Sequence, residues 1–417
     1  MSEATDPDLA AGNRRKAGLR RSLTLWHVVL YGLGVTIGAG IYVLIGDAAG
    51  SAGTNAPFAF VVAALVMAPT ALSLAELATR HPVSAGEAAF VGAAFRWPAL
   101  SVTVGSLVVG VGIVSAAAIS LGSVGYIRVF VDLPPGVLLT LVVLGMGLIA
   151  AWGIEESVTL AAIMTVIEIG GLLIVVVASL VWHPESLPAV AGTLVPTLGT
   201  DAWLGILSAG LIAFFAFIGF EGIVNVAEEV KAPTVTLRRA IYMTLLISTI
   251  LYLLVAAVSV VIVPPAELSR SDAPLALVFE RATGASPLWL SAIAIIATLN
   301  GVIVQMIMAS RVIYGLADRG NLPKVLASVS PTTSTPLIST GLVVAIVYAL
   351  ALLLPLVALA EWTSRITLVV FALVNAALIR IKLRGDPAPA GVVIQPMAVP
   401  VAGCLICLAF LLAGGWS

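Results

Sequence analysis

Charge is what this chain has least of. Only 10% of its 417 residues are Asp, Glu, Lys or Arg, against about 25% in a soluble domain. From Leu23 to Ala75 the one such residue is Asp47. This scarcity excludes a soluble globular protein of ordinary composition. A net charge of −1 offers no basic surface, so no nucleic-acid partner is expected. Histidine is scarce as well. His27, His81 and His183 are scattered and form neither a metal-ligand spacing nor a triad. No nucleophile–base pair stands out, so no enzyme, metal or cofactor is expected. Two cysteines, Cys404 and Cys407, lie one helical turn apart in an apolar run without His or acidic neighbours, where they read as small apolar filler.

Hydrophobic side chains, in contrast, make up 60% of the chain. They fall into eleven runs, roughly 25–45, 57–78, 98–124, 136–152, 157–181, 202–227, 238–262, 287–316, 337–355, 359–380 and 396–414. A run of about 20 apolar residues crosses a bilayer as a helix. The expectation is an all-α polytopic membrane protein with about eleven transmembrane helices, whose surroundings are the lipid bilayer. Breaks are marked by Pro82, Pro134, Pro135, Pro184, Pro188, Pro233, Pro264, Pro265, Pro323, Pro331 and Pro387. The segment from Pro274 to Thr283 reads as a short amphipathic surface helix.

Lys and Arg set the orientation. Arg14, Arg15, Lys16, Arg20 and Arg21 precede the first run, and the alternate loops after it bring the total on that side to 16 of 20. This puts the N-terminus in the cytoplasm of a cell-membrane protein. Residues 1–22 are a polar, basic tail without the apolar core of a signal peptide. Residues 23–182 and 202–384 then form two five-helix units, joined by an extracytoplasmic loop at 183–201, with one more helix in 385–417.

Two of the runs are interrupted. Gly38-Ala39-Gly40 sits in the middle of the first, and glycine is a poor helix interior. Phe214 to Gly222, with two glycines and Glu221, interrupts the sixth. Paired broken helices in corresponding halves point to a transporter site. Five crossings separate them, so the second enters from the opposite side and the halves form a 5+5 inverted repeat with discontinuous helices 1 and 6. The plainer alternative is that Gly34 and Gly38 form a G-x-x-x-G packing pair. At Ala39, Gly40 and Ile41 a new half-helix would begin, offering N–H groups to a carboxylate. At Ala216, Phe217 and Ile218 a half-helix would end, offering carbonyls to an ammonium.

The residues 34–42 (GVTIGAGIY), 216–222 (AFIGFEG), 228–233 (EEVKAP) and 310–323 (SRVIYGLADRGNLP) resemble, in this order and spacing, the amino acid–polyamine–organocation permeases. The resemblance runs from about Leu23 to Arg384. It implies secondary transport of an amino acid substrate by alternating access. It also implies a site in which Thr36, Ile37, Gly38, Ala39 and Gly40 face Phe215, Ala216, Phe217 and Ile218. Many relatives have twelve spans; this chain shows eleven.

Span 3 contributes Gly112, Ser115 and Ala116 to the side-chain pocket, and span 8 contributes Asn300 and Gly301. None is charged, which favours neutral substrates. Phe215 is placed either to close over the pocket or to fill the core. Glu168 and Glu221 lie at membrane depth, where a carboxylate is functional by default, and they are the candidates for proton coupling. The resemblance implies that some superfamily members carry a lysine at the position of Glu168 that acts in place of sodium, and this chain departs from them there. Sodium, held by Val35, Thr298 and Asn300, is the weaker coupling choice. Glu361 and Arg365, one turn apart, should pair. Glu76, Glu228, Glu229, Lys231 and Arg238 read as a solvated charged rim. The rivals to amino acid transport are a polyamine carrier of the same fold, which would leave the glycine break without a carboxylate, and a non-transporting sensor.

Overall fold

The computed structural model describes residues 21–81, 86–153, 158–197 and 199–413, and for Ala39, Val158, Thr159 and Ala413 the backbone alone. Most of the basic tail, including Arg14, Arg15, Lys16 and Arg20, lies outside the described residues. Among the described residues the α-helices are, in order, α1 (Leu25–Ala52), α2 (Ala56–Arg80), α3 (Gly86–Phe95), α4 (Pro98–Arg128), α5 (Pro135–Trp152), α6 (Val158–Trp182), α7 (Leu187–Gly192), α8 (Thr200–Phe215), α9 (Pro233–Ile262), α10 (Pro265–Leu268), α11 (Pro274–Thr283), α12 (Leu288–Asp318), α13 (Leu337–Leu353), α14 (Leu356–Leu383) and α15 (Ala398–Ala413). A 3-10 segment, Phe220–Glu229, comes after α8.

Proline opens α2, α4, α5, α9 and α11, where its missing N–H is not needed and its φ suits the first turn. Among the described residues eight stretches are long and apolar enough to cross a membrane. The first, Gly40–Arg80, runs from the second half of α1 through α2 and at 41 residues is about twice one crossing. Four more apolar helices are shorter: Leu25–Gly38, Gly86–Phe95, Leu337–Leu353 and Ala398–Leu412. Leu148, Trp152, Trp289 and Leu353 are at least 70% exposed. Large apolar side chains turned outward suit lipid rather than water.

The interior is built around α1, which packs on α8, α9 and α6, while α4 packs on α12 and α14. Many buried hydroxyls bond within their own helices, as in Ser120 to the Ala116 carbonyl at 2.7 Å and Thr363 to Leu359 at 2.8 Å. Interhelical polar contacts are fewer. Asn375 on α14 accepts from Ser73 at 2.7 Å and donates to Thr70 at 2.8 Å, tying α14 to α2.

Three expectations from sequence meet different outcomes. Glu361 and Arg365 do pair, at 3.4 Å. The amphipathic segment Pro274–Thr283 is the helix α11. Glu76 is not part of a solvated rim. Its side chain is 0% exposed and takes Arg80 and Lys382, each at 2.8 Å, and the Gln395 N–H at 2.8 Å. One buried carboxylate thus joins α2, α14 and the approach to α15. A charge can be buried because two cations and an amide satisfy it.

Candidate functional site: a cavity between two broken helices

The first break is a single residue. Gly38 has φ 3° and ψ −128° inside α1, and helical backbone resumes at Gly40. The second is longer. After Phe215 the chain tightens into turns, in which the Ala216, Phe217 and Ile218 amides bond to the carbonyls of Ala213, Phe214 and Phe215, each at 3.1 Å. Gly219 then takes φ +125°, a value that L side chains rarely adopt. Its N–H donates to the Glu221 carboxylate at 2.9 Å.

The two breaks abut. A Cβ built on Gly40 would collide with the Ala216 backbone, and one on Gly219 would come within 2.5 Å of the Val35 carbonyl. A Cβ on Gly38 would meet nothing within 4 Å. Gly38 therefore opens onto free space, whereas Gly40 and Gly219 are where two backbones touch. The missing side chain of Gly40 makes room for the Ala216 backbone, and Gly40 also lines the cavity between the breaks. Gly34 is a packing glycine too, against the Thr165 side chain of α6.

Between the breaks lies a cavity of about 50 Å³ lined by residues of α1, α4, α6, α8 and α12. A water occupies ~10–15 Å³ on this measure, so the space holds roughly the atoms of a small zwitterion. Of the candidates from sequence, Val35, Thr36, Gly38, Gly40, Ser115, Phe215, Ile218, Asn300 and Gly301 line it. The others are set elsewhere. Ile37 and Phe217 are fully buried, and Phe217 packs edge-on against Tyr252 with ring centroids 4.9 Å apart. The Ala39 side chain lies outside the described residues. The Thr298 hydroxyl turns back to the carbonyls of Ala294 and Ile295, at 2.8 and 3.1 Å.

The acidic candidates also separate. Glu221 lines an adjoining cavity that shares Tyr31, Val35, Val304 and Gln305 with the first. Glu168 lines neither. It is fully buried, and its backbone carbonyl accepts from Tyr42 at 2.6 Å. Thr165, one turn before Glu168, lines the first cavity, packs against Gly34 and donates to the Leu30 carbonyl of α1 at 3.1 Å.

Sequence reasoning missed three residues. Tyr252 on α9 places its hydroxyl 2.9 Å from the Thr36 carbonyl and 2.8 Å from the Ala216 carbonyl, so one phenol joins both breaks. Gln305 lines both cavities and its Oε1 has no hydrogen-bond partner. Glu87, on α3, lines the second cavity. Burial pushes the Glu87 carboxyl above its usual range. Tyr252 and Gln305 carried no local signal in an all-apolar background, and Glu87 fell in a run too short to register as a span.

A family model described as amino acid permease matches residues 23–415. The chain is 30% identical over 441 residues to the branched-chain amino acid permease BcaP of Bacillus subtilis (strain 168), covering 98% of this chain and 91% of that one. It is 30% identical to the vacuolar cationic amino acid transporter 4 of Arabidopsis thaliana, over 87% of this chain but only 63% of the plant protein. It is also 30% identical to the uncharacterized transporter Rv1999c of Mycobacterium tuberculosis (strain ATCC 25618 / H37Rv), over 95% of this chain and 86% of that protein. With a helix-break cavity at its centre and a family match over nearly its whole length, the chain belongs to the amino acid permease family.

Proposed function

We propose that the protein is a secondary active transporter that holds the zwitterionic end of an amino acid between the two helix breaks and moves it by alternating access with a proton. The observation that carries this reading is the juxtaposition of the breaks around one cavity, with open space at Gly38. The half-helix that starts at Gly40 presents N–H groups and a positive dipole end, which suit a carboxylate. The end of α8 at Phe215 presents carbonyls and a negative dipole end, which suit an ammonium. The Ala216 carbonyl is already occupied by Tyr252 and Phe217 does not line the cavity, which leaves Ile218 as the ammonium acceptor at this break. Asn300 Oδ1, which has no hydrogen-bond partner, is a further acceptor at the cavity wall.

The same reading takes the protein as eleven spans in the cell membrane, with the N-terminus in the cytoplasm. Spans 1–5 and 6–10 are inverted repeats, and α15 is an added helix. Glu221 is the coupling residue, because it stands beside the second break and faces the adjoining cavity. Sodium at Val35, Thr298 and Asn300 is disfavoured because Thr298 lines neither cavity, whereas Val35 and Asn300 line the first. The relatives' names give branched-chain and cationic amino acids as the first substrates to try.

Proteoliposomes loaded at one pH and diluted into another test this directly, with labelled leucine, alanine, lysine and putrescine. The expected result is accumulation of an amino acid only when a pH gradient is imposed. In Glu221→Gln, accumulation is lost while binding at equilibrium persists. Accumulation driven by a sodium gradient alone would overturn the coupling reading, and uptake of putrescine but no amino acid would overturn the substrate reading. Glu168→Gln serves as the companion variant and should accumulate like the parent, since Glu168 lines neither cavity.

A further inference from the structure

The second cavity has about twice the volume of the first, about 100 Å³. Its titratable lining residues are Glu87, Glu221 and Tyr31, and among the described residues no Lys, Arg or His lines it. Glu87 is 6% exposed and Glu221 half-buried at the wall. The two carboxyls come from different elements. Glu87 is in the first turn of α3. Glu221 is in the 3-10 segment beyond the α8 break. The elements meet closely there, since a Cβ on Gly86 would lie 3.1 Å from the Asn225 side-chain oxygen. Gln305 adds a buried amide oxygen with no hydrogen-bond partner.

Cations on the packed elements are engaged elsewhere. Arg80 on α2 binds Glu76. Arg384, just past α14, binds Asp386 and the Ala94 carbonyl at the far end of α3. Arg128 on α4 pairs with Asp272. Arg311 on α12, Arg238 and Arg239 on α9, and Glu228 and Glu229 in the 3-10 segment are not among the lining residues. Two carboxylates facing one small cavity without a cation cannot both ionise cheaply. At least one of them then holds a proton.

We propose that Glu87 and Glu221 form a carboxyl pair that carries a single proton, Glu87 keeping Glu221 protonated until the cavity opens to the side where the proton is released. This deepens the coupling reading and rests on it. The cycle is a proton transfer only. One proton enters the pair from water on one side, neither carboxyl changes otherwise, and the same proton leaves to water on the other side. The pair also gives the glutamate-bearing break a function that the glycine-only break does not have.

The test uses the full chain, purified in detergent, and the infrared C=O stretch of protonated carboxyls measured across pH. Difference spectra against Glu87→Gln/Glu221→Gln isolate the pair. In the parent one protonated carboxyl should titrate. In Glu87→Gln the like-charge neighbour is gone, so Glu221 should lose its proton more readily and the midpoint should fall by about one pH unit. The pH profile of uptake should move the same way. Glu87→Ala, which also removes the charge, should lower the midpoint likewise and stands in should Glu87→Gln fail to fold, while Glu87→Asp, which keeps the charge, should stay near the parent. An unchanged midpoint and an unchanged uptake profile in Glu87→Gln overturn the pair, while loss of accumulation in Glu221→Gln alone would leave the coupling reading standing. A shifted midpoint in a protein that accumulates substrate without regard to the pH gradient overturns the coupling reading instead. Loss of lysine binding but not of leucine binding in Glu87→Gln would assign the cavity to a substrate ammonium and overturn the proton assignment.

Discussion

The two breaks look alike in sequence and differ in construction. The break in α1 is one glycine wide, and an α-helix resumes within two residues. The break after α8 takes four residues, ends at a glycine with φ +125°, and continues as a 3-10 segment carrying Glu221. The first is thus a notch in a rigid rod. The second is a joint, with a different kind of helix on its far side and a titratable group beside it. A notch can present backbone to a ligand without moving. A joint can reorient the segment on its far side, which is the property that coupling needs. Tyr252 spans the two, with its ring held by Phe217 and Phe60 and its hydroxyl shared between their carbonyls.

The difference between the breaks is open to three substitutions. The largest effect belongs to Gly40→Val. Its side chain would enter the Ala216 backbone, which cannot yield as a flexible side chain would. Overpacking of this kind costs about 1–3 kcal/mol, and the expected result is a lowered unfolding temperature together with lost binding. A Gly40→Val protein as stable as the parent would show that the breaks do not touch. Gly38→Ala comes next. The added methyl points into open space, so stability should hold while amino acid affinity falls roughly tenfold, or about 1.4 kcal/mol. Calorimetric binding beside a thermal melt separates the two glycines, and equal behaviour in both variants would erase the distinction between them. Tyr252→Phe has the smallest effect. It keeps the ring packing and removes one hydroxyl, at about 1 kcal/mol. The melt should move slightly and transport should slow, because the notch and the joint are no longer tied. Unchanged transport would mean that the phenol only fills space.

Much of this was legible along the chain. Long apolar runs, proline at helix starts and glycine at two breaks are local properties, and each acts through a few neighbouring residues. The residues 34–42 and 216–222 therefore marked where two helices break around a cavity. Less legible was which glycine does what. Gly38 and Gly40 differ only in what stands opposite them, and for Gly40 that is Ala216, distant in sequence. Glu76 and Glu87 were hidden for the same reason. One is buried because Lys382 reaches it, and the other shares a cavity with Glu221 because α3 folds in against the 3-10 segment.

The sequence by itself determined the class and the address of the two helix breaks. Sixty per cent apolar content cannot stay in water, and backbone freed at membrane depth must line a cavity. Only the tertiary structure decided the pairings: Gly40 on Ala216, Tyr252 on two carbonyls, Thr165 rather than Glu168 on the first cavity, Glu87 and Glu221 on the second. In a chain this uniformly apolar, side-chain pattern hardly distinguishes one helix face from another. The neighbours are fixed by close packing between helices far apart in sequence, and such packing leaves no local trace.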